Sequence, residues 1–598
     1  MRSNTGTLLA GLLLAGAASC SSPSAFSRSH KLSTRAVNTN PSEVIVQMFE
    51  WPWDSVAAEC ESFLGKSGYS VVQVSPPQEH IQGKAWYTAY QPVSYKIISN
   101  RGDRTQFSNM IKRCHAAGIK VIVDAVINHM TAYRQGTGVG GTAFTHTNYP
   151  GLYSANDFHS CGLNGNNDIN NYEDRYEAQF CELGDLIDLK TESDYVRGKI
   201  AGYLNDLISL GADGFRIDAA KHIPAADLKN IISRLSREVY ITQEVIPGQV
   251  IKTSEYTGHG NVQEFGFAWT MRDCFRDGTL SKLKDLESWA FLPSNKANTF
   301  IANHDTERDT SSTPLVWKSP NNAYELAHVF ILGHQYGQPT VLSSYEFKNH
   351  NEASPNNGIP ACSANGGSNG WLCQHRSKAI AGMAAFRKHV GTAATSNWQS
   401  PQNDRVAWGR GSVGFVAINH SGSAWSGSFK TSLPAGNYCN VISTGSTTGS
   451  CSGAAVITVA SGGTFTATVA ARSALAIHTG AKAGGSAVTP PPPTTGGGSG
   501  SGSVSVNFRS TATTVYGQNI FVVGSLSQLG SWDPAKALPL SSASYPAWTA
   551  TVSIPASTAF EYKYIRKEAN GSVVWSSDPN FRVTTAASGS QTVNDSWR

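Results

Sequence analysis

The sequence predicts an α/β protein: a (β/α)8 barrel with an inserted loop domain, followed by an all-β Greek-key domain and a C-terminal β-sandwich. Three observations lead to this prediction. Short β-rich runs alternate with helix-period segments up to about residue 393, alternating β patterns replace them from residue 394, and a Pro/Gly/Ser-rich stretch precedes residues 503–598. Strands separated by helices imply parallel pairing, and this many repeats favour a closed barrel.

The composition limits the classes of protein to consider. The chain has 598 residues, which at roughly 150 residues per domain predicts about four units. Charged residues make up 15% of the chain, against about 25% in an average soluble domain, while it holds 57 Gly, 14 Trp and 21 Tyr. This balance suits an exported protein that handles neutral, hydroxyl-rich ligands. The net charge of +5, without a Lys/Arg block, argues against nucleic acid as a partner.

Residues 1–20 have the pattern of a signal peptide, because a charged start precedes an apolar run over Leu8–Ala18 that is too short to span a bilayer. The run ends in Ala-Ala-Ser-Cys at Cys20, which resembles a bacterial lipoprotein processing site except that Ala stands where Leu is usual. Two alternatives follow: ordinary secretion, or a lipid anchor on Cys20 at the cell surface. Residues 21–41 are rich in Ser, Thr and Asn and predict a tether; no membrane span is expected.

The barrel is expected over residues 42–393. The alternation of strand-like and helix-period segments stops over residues 130–187, which are rich in Gly, Asn, Tyr and Asp and are expected to be the inserted domain. Residues 394–482 predict the all-β domain, residues 483–502 a linker that is stiff and then flexible, and residues 503–598 a separately folding β domain. Six strand-like runs of the barrel are Val44–Phe49, Ser70–Val74, Val121–Val126, Gly214–Asp218, Tyr240–Glu244 and Phe300–His304.

Ten cysteines in an exported chain predict disulfides. If Cys20 is removed or acylated, at least one of the other nine is unpaired. Local spacing favours three pairs and leaves Cys60, Cys114 and Cys274 unassigned. The three favoured pairs are Cys161 with Cys181, Cys362 with Cys373, and Cys439 with Cys451.

Three acidic residues, Asp218, Glu244 and Asp305, follow predicted strands, and the C-terminal ends of barrel strands share one mouth. The two-residue period of a strand puts Arg216 on the same face as Asp218, where its charge holds the acid ionised. Cleavage of a glycoside needs one ionised and one protonated carboxyl group, and such a cluster supplies both. The alternative is that each acid is only a rim carboxylate in a salt bridge. That is the better interpretation for one acid, but three together favour catalysis.

Four segments at these positions resemble the four signature blocks of the α-amylase family, in matching order and spacing. Flanking segments, such as Phe49-Glu50-Trp51, resemble the animal-type members and their bacterial relatives, and the resemblance runs from about residue 44 to 480. The four segments are Asp124–His129, Gly214–His222, Gln243–Ile246 and Asn303–Asp305.

The resemblance implies that Asp218 is the nucleophile, that Glu244 is the general acid and then the base, and that Asp305 steadies the transition state. Retention of configuration would place the carboxyl groups of Asp218 and Glu244 about 5 to 5.5 Å apart. A lone His or Tyr is more often a core residue, but within these blocks the functional interpretation is preferred. The implied substrate-binding residues are Trp86, Tyr87, Tyr90, Gln91, His129, Arg216, Lys221, His222 and His304.

The resemblance also implies a structural calcium ion, held by the side chains of Asn128 and Asp188 and by the main-chain carbonyls of Gln179 and His222. The alternative for the two side chains is hydrogen bonding within loops. Chloride is expected not to be required, because Thr340 stands where chloride-dependent members have a second arginine. The implied disulfides add Cys60–Cys114 to the three local pairs and leave Cys274 unpaired.

Residues 503–598 resemble a starch-binding domain. Flat aromatic rings match the apolar face of glucose, and neighbouring polar groups bind its hydroxyls. The alternative, that the aromatic residues fill a small core, is preferred for Trp548 and Trp597. The implied sugar sites comprise Trp532, Lys563, Trp575 and Asn580 in one, and Tyr516 and Tyr545 in the other.

Together these inferences predict a secreted, monomeric, calcium-bound α-amylase that cleaves α-1,4-glucosidic bonds inside starch and related α-glucans with retention. Maltooligosaccharide-forming amylases and cyclodextrin glucanotransferases carry a similar module and are the nearest alternatives. The non-enzymatic alternative is a surface starch-binding protein with a decayed barrel, against which the presence of all three acids argues.

Overall fold

A computed structural model describes the chain over residues 41–289, 291–309, 314–444, 451, 456–483, 503–515, 517–568, 572–577, 580–586 and 589–597. The chain divides into two compact units, one up to Pro491 and the other from Pro492. Each unit has its own hydrophobic core, and the two are described separately.

The first unit is built on a closed barrel in which every strand pairs in parallel with its two neighbours, so the predicted (β/α)8 barrel is confirmed. Its strands are short and rich in Val and Ile, as expected for strands buried on both faces. In chain order they are β1 Ile45–Met48, β2 Val71–Val74, β3 Lys120–Ala125, β4 Gly214–Ile217, β5 Tyr240–Gln243, β6 Asn261–Gln263, β7 Ala297–Phe300 and β8 Gln338–Ser343.

Helices pack around the barrel with their apolar faces inward. Their ends follow local chemistry: Asp103 caps the helix that begins at Arg104 through a 2.9 Å bond from the Gln106 amide, and Gly211 ends the helix that begins at Asp194 in the left-handed conformation, at φ 111°. No helix among the described residues is long and apolar enough to cross a membrane. The helices are α1 Trp53–Ser62, α2 Arg104–Ala116, α3 Arg175–Phe180, α4 Asp194–Leu210, α5 Ala225–Ser233, α6 Phe265–Asp277, α7 Ala323–Gly333, α8 Lys378–Val390 and the short α9 Val441–Thr444.

The long connection between β3 and α4 carries little regular structure beyond a two-stranded ribbon, Gln135–Thr137 with Ala143–Thr145, and helix α3. The buried carboxylate of Glu79 fastens this connection by accepting the amides of Gly140 and Thr142 at 2.9 and 3.0 Å. A β-bridge between His129 and Asp188 joins its two ends beside the barrel mouth. The connection therefore packs over the mouth rather than extending into solvent.

The four disulfides implied by the resemblance are formed, and Cys274 is free and buried. One of them, Cys60–Cys114, joins α1 to α2, whereas Cys161–Cys181 lies within the long connection. The other two are Cys362–Cys373 and Cys439–Cys451.

The predicted all-β domain follows the barrel, and its largest sheet has the order Thr395–Gln402, Arg405–Arg410, Gly414–Asn419, Ser473–His478. Two antiparallel pairs complete it: Trp425–Lys430 with Thr464–Val469, and Gly436–Cys439 with Val456–Val459. Arg410 fixes this domain to the barrel by donating 2.8 Å bonds to the carbonyls of Gly333, at the end of α7, and Gly391, just after α8.

The second unit is a β-sandwich of two sheets, as predicted, with a core that contains Phe508, Trp548 and Tyr564. The strand Ser503–Thr511 pairs in parallel with Ser590–Ser596, and the carboxylate of Asp595 accepts hydrogen bonds of 2.8 Å from the hydroxyls of Tyr562 and Tyr564. Its strands are Ser503–Thr511, Asn519–Gly524, Leu538–Pro539, Ser541–Ser544, Ala547–Pro555, Ala559–Lys567, Val573–Trp575, Phe581–Thr584 and Ser590–Ser596.

Candidate active site

The barrel register brings acidic residues from neighbouring strands to one point at the mouth. Arg216, on β4, lies directly opposite Asp124 on β3 and Thr242 on β5. Asp218 follows β4 immediately and Glu244 follows β5 immediately, so both project from the C-terminal ends of their strands. The chain thus places four charged side chains on three adjacent strands.

The buried guanidinium of Arg216 is the centre of this cluster. Its Nη1 lies 2.6 Å from Asp218 Oδ1 and 2.8 Å from Asp124 Oδ1, and its Nη2 lies 2.9 Å from Glu244 Oε2. Glu244 Oε2 also accepts the main-chain amide of Ala219 at 2.8 Å. One cation therefore holds the two predicted catalytic carboxylates on adjacent nitrogens, in fixed positions.

Asp124 is a member of this cluster that was not among the predicted site residues. Its second oxygen accepts the Tyr90 hydroxyl at 2.9 Å, so it links the arginine to the aromatic residues of the mouth. The available signal was an acid on a buried strand, within the segment Asp124–His129 that carries the resemblance. Its partner Arg216 is 92 residues away, and only the register shows that they meet.

Burial and charge act in opposite directions on Asp218. Removal from water raises the pKa of Asp218, the Arg216 guanidinium opposes that rise, and the charges of Glu244, Asp124 and Asp305 add to it. Carboxylates crowded around one cation hold a proton more tightly than isolated ones do. The net effect is a raised pKa for Asp218, so the charge of Arg216 alone does not produce the ionised Asp218 that the sequence led us to expect. A proton shared within this cluster is compatible with the one protonated and one ionised carboxyl group that glycoside cleavage requires.

Asp305 reaches the same mouth from the segment after β7. Its Oδ2 lies 3.2 Å from His304 Nε2, and its side chain is 44% exposed, far more than the side chains of Asp218 and Glu244. The His304 ring stacks on Tyr90 at 5.0 Å between centroids. The three predicted catalytic residues are thus brought together, with Asp305 facing the open cleft.

The predicted sugar-binding residues lie on two sides of the carboxylates. Trp86 and Tyr90 are buried at the side of His304, and the Trp86 indole nitrogen donates to the His350 carbonyl at 2.7 Å, while Tyr87 packs at the edge of Trp86, with ring centroids 6.2 Å apart. On the other side, the Lys221 amide donates to the Glu244 carbonyl at 3.1 Å.

The remaining predicted contacts lie where the long connection meets the mouth. His129 Nε2 lies 3.0 Å from the Tyr90 carbonyl, and burial lowers the pKa of His129 to about 4, so its ring is neutral. Gln91 accepts the Thr131 hydroxyl at 2.8 Å. His222 Nδ1 lies 2.7 Å from the carbonyl of Ala178 in α3.

The predicted calcium ligands gather at the junction of the long connection and the barrel. Asn128 and Asp188 are buried, and the His129–Asp188 bridge makes their segments adjacent. The Asn128 Oδ1 atom is buried without a hydrogen-bond partner, while Asp188 Oδ2 lies 2.6 Å from His159 Nδ1. The buried Gln179 side chain donates to the Lys221 carbonyl at 3.3 Å, so α3 lies against the segment that carries His222.

These residues fit an oxygen-liganded cation. An orphaned amide oxygen beside a buried carboxylate is the donor chemistry that Ca²⁺ prefers. Within the part of the chain that the structure describes, no three His, Cys, Asp or Glu side chains converge to hold a metal ion. A cation here would therefore depend on amide and main-chain oxygens as well as on Asp188.

In the second unit, the ring centroids of Trp532 and Trp575 lie 6.5 Å apart, with 34° between the ring planes. Trp575 is 39% exposed, whereas Trp532 is partly buried against a small apolar cluster. Asn580 Nδ2 donates to Glu561 Oε2 at 2.8 Å, and Lys563 lies on the strand Ala559–Lys567. Tyr545, of the second predicted sugar site, is 51% exposed, whereas its partner Tyr516 lies outside the described residues. Trp548 is buried in the core and Trp597 packs against it.

A parallel barrel with acids held around one arginine at its mouth, followed in the chain by a module with a tryptophan pair, defines a carbohydrate-cleaving enzyme of the glycoside hydrolase class. Comparison with known proteins narrows the class. The α-amylase catalytic domain matches residues 64–242, the α-amylase C-terminal all-beta domain residues 396–480, and the starch binding domain residues 503–595. The chain belongs to the α-amylase family.

Relatives cover nearly the whole chain. An α-amylase of Streptomyces violaceus is 51% identical over 94% of this chain and 95% of its own length, and one of Thermomonospora curvata is 41% identical over 93% and 94%. The crystal structure of α-amylase I from Eisenia fetida has a TM-score of 0.67 and 33% identity, and covers 74% of this chain and 98% of that one. A second structure of that enzyme, with a TM-score of 0.68, is a glutamate-to-glutamine mutant in complex with maltohexaose.

Proposed function

We propose that this chain is an exported, calcium-bound α-amylase that cuts α-1,4-glucosidic bonds within starch chains and retains the anomeric configuration. The observation that carries the proposal is the Arg216 guanidinium, which contacts both Asp218 and Glu244. A shared cation keeps two carboxyl groups close together, as a double-displacement mechanism needs.

The geometry supports a division of labour among the acids. Arg216 holds Asp218 with an oxygen available to attack the anomeric carbon, which breaks the bond to the leaving sugar oxygen and forms a glycosyl ester. Glu244 gives its proton to that leaving oxygen and then removes a proton from the water that cleaves the ester. Asp305 and His304 face the same sugar from the cleft side. There Asp305 accepts hydrogen bonds from its hydroxyls, and His304 donates one to them.

Action within the chain is supported by binding residues on both sides of the acids. Trp86 and Tyr90 lie beside His304, whereas Lys221 adjoins Glu244, so a glucan would contact the protein before and after the cleaved bond. The maltohexaose complex of the Eisenia fetida relative supports a linear α-glucan as the ligand.

The test is the product spectrum of maltoheptaose and soluble starch over time. We expect proton NMR to detect the α-anomer first, and the iodine colour of soluble starch to fall faster than reducing ends accumulate. Cyclic products would instead favour a glucanotransferase, and one dominant maltooligosaccharide an exo-acting amylase. If no new reducing ends appear, the alternative of a non-enzymatic starch-binding protein would be favoured instead.

Export is supported by four disulfides in the described residues, since such bonds persist in oxidising compartments. A lipid anchor on Cys20 remains the alternative to a free extracellular enzyme, and Cys20 lies outside the described residues. Mass spectrometry of the mature N-terminus distinguishes an acylated cysteine from an unmodified cleaved end.

Calcium would bind Asn128 and Asp188 through their side chains, and Gln179 and His222 through their carbonyls, and would tie the long connection to the barrel. Removing it with a chelator is expected to lower the melting temperature by about 5 to 15 °C, because ligand binding to the folded state alone stabilises it. The measurement is calorimetry with and without chelator, with readdition of Ca²⁺ as the control. An unchanged melting temperature would mean that no calcium binds.

Chloride is expected to change activity less than about twofold. Thr340 is neutral and its hydroxyl accepts the Asn298 side-chain amide at 2.8 Å, so an anion would have a single cation, Arg216, which three carboxylates already contact. Arg216 Nε and Asn303 Nδ2 are buried donors without partners in the described residues, but the second guanidinium of the chloride-dependent members is replaced by Thr340. The measurement is the initial rate of desalted enzyme after addition of sodium chloride, compared with the rate after addition of sodium nitrate. A large rate gain with chloride alone would contradict the expectation.

A further inference from the structure

The imidazole of His304 is held more tightly than a sugar-binding side chain needs to be. It is 1% exposed, and it lies between the rings of Phe49 and Tyr90, with centroid distances of 4.9 and 5.0 Å and interplanar angles of 27° and 11°. The indole of Trp86 closes a third side at 5.6 Å, edge to face. The ring therefore cannot turn over, and each nitrogen has a fixed neighbour.

The two neighbours determine which nitrogen carries the proton. Nε2 lies 3.2 Å from Asp305 Oδ2. Desolvation and the charge of Glu244 raise the pKa of Asp305 to about 7, so above that pH its carboxylate only accepts hydrogen bonds and Nε2 carries the hydrogen. Burial and the charges of Arg216 and Arg308 lower the pKa of His304, so the ring holds one proton and not two. Nδ1 is then an acceptor, and Gln47 Nε2 lies 3.0 Å from it in position to donate.

We propose that Gln47 is a positioning residue, whose side-chain amide fixes His304 as the neutral imidazole with its hydrogen on Nε2, aimed at Asp305 and the sugar hydroxyls beside it. The inference rests on the proposed function, since it concerns the sugar that Asp305 and His304 would bind. Gln47 does not touch that sugar; it acts through His304. A positioning role for the second nitrogen of a histidine is a general device, because the partner of one nitrogen sets the state of the other.

The place of Gln47 in the barrel favours this role over simple packing. It lies on β1 with Gln73 of β2 and Leu342 of β8 as its register neighbours, and it is only 4% exposed. An amide in a barrel interior costs free energy unless it is hydrogen-bonded, and a hydrophobic residue would fill the same space. Its contact with His304 joins positions 257 residues apart, which no local pattern requires.

The charged and titratable groups that face His304 are few. Asp305, on its own segment, has a pKa raised to about 7, so its titration belongs to the parent profile with which the variants are compared. Arg308 follows it and Arg216 comes from β4, while Tyr90 packs on the ring face with a pKa that burial raises, so Tyr90 stays uncharged. In the parent enzyme, therefore, His304 does not titrate near neutral pH. A carboxylate at position 47 would reverse this, by favouring a proton on Nδ1 and raising the pKa of His304.

The decisive variant is Gln47→Glu, which keeps the size of the side chain and replaces its donor with an acceptor. At low pH His304 becomes an imidazolium that still donates from Nε2; as the pH rises through its raised pKa, the remaining proton stays on Nδ1 and the donor is lost. We expect kcat/KM on maltoheptaose to fall about a hundredfold along a new basic limb near neutral pH, in line with the loss of one transition-state donor. Gln47→Met, which fills the space without a hydrogen bond, is expected to lower kcat/KM about tenfold at every pH.

Gln73→Glu is the matched control, because it buries a carboxylate on the adjacent strand and Gln73 has no described contact with His304. It is expected to lose stability without gaining the basic limb.

A Gln47→Glu profile that superimposes on the parent profile, or that matches the Gln73→Glu profile, would overturn the proposal. If Gln47→Glu does not fold, Gln47→Met decides: parent-like kcat/KM overturns the proposal, whereas a drop in kcat/KM at unchanged melting temperature supports it. A parent enzyme that does not cleave maltoheptaose would instead refute the proposed function.

Discussion

Changing Asp218 to asparagine is expected to lower kcat on soluble starch by about four to six orders of magnitude. The amide cannot form the glycosyl ester, and it removes a titratable carboxyl group that lies 2.6 Å from an Arg216 nitrogen in the parent. Losses of this size are usual when a covalent nucleophile is removed, since the residual rate comes only from binding and the remaining electrostatic groups. The measurement is the release of reducing ends, followed for long enough to detect a slow rate.

A suitable control for this change is Asp213→Asn. Asp213 lies just before β4, at the opposite end of the strand, where its carboxylate accepts the Val121 amide at 2.8 Å and contacts His115 at 2.7 Å. It should retain activity within about threefold of the parent, because it lies far from the mouth along the same strand. An Asp218→Asn enzyme within tenfold of the parent would rule out a nucleophilic role for Asp218.

Replacing both Trp532 and Trp575 with alanine is expected to weaken adsorption to starch granules roughly a hundredfold, with kcat/KM on soluble starch within about twofold of the parent. The paired rings supply the flat apolar surface of the module, and tethering to a granule raises the local substrate concentration without changing the chemistry. Adsorption isotherms and soluble-starch rates, measured on one preparation, separate the two effects.

Trp269→Ala is the matched control for the tryptophan pair. Trp269 lies on α6 in the first unit and is 36% exposed, close to the 39% of Trp575. The variant therefore measures the effect of losing an exposed indole at a position outside the module. Its adsorption should equal that of the parent. Equal losses of adsorption and of soluble activity in the double variant would show that the module is not an independent attachment site. Deletion of residues 483–598 should reproduce the double variant.

The sequence was sufficient to predict the barrel fold, because most of its strands are apolar runs separated by helix-period segments, and this pattern depends on local residue order. The runs named from the sequence did not include β6 or β8, whose residues are partly polar, and the run expected at Phe300–His304 is observed earlier, as β7 Ala297–Phe300. The positions of Asp218 and Glu244 at strand ends followed from the same pattern. Neither local pattern nor spacing could pair Cys60 with Cys114, which are 54 residues apart; that pair came from the resemblance, whereas Cys161–Cys181 was already favoured by spacing.

What the sequence could not supply is the set of contacts that the barrel closure creates. Asp124 meets Arg216 only because β3 and β4 are adjacent and in register, and Gln47 meets His304 across 257 residues. Both are polar residues in strands that read as ordinary buried runs. Their roles depend on which neighbour faces them, and that information exists only once the circular order of strands is known.

The sharing of one arginine among three acids limits how the enzyme could be altered. Because Asp124, Asp218 and Glu244 all contact Arg216, substitutions among them should show strong epistasis, and double-mutant cycles should yield large coupling energies rather than additive losses. Selection for work in a more acidic or more alkaline environment could not adjust one of these acids alone without disturbing the other two. Substitutions that adapt the working pH should therefore accumulate at residues around Arg216 and these three acids, and leave the four residues themselves unchanged.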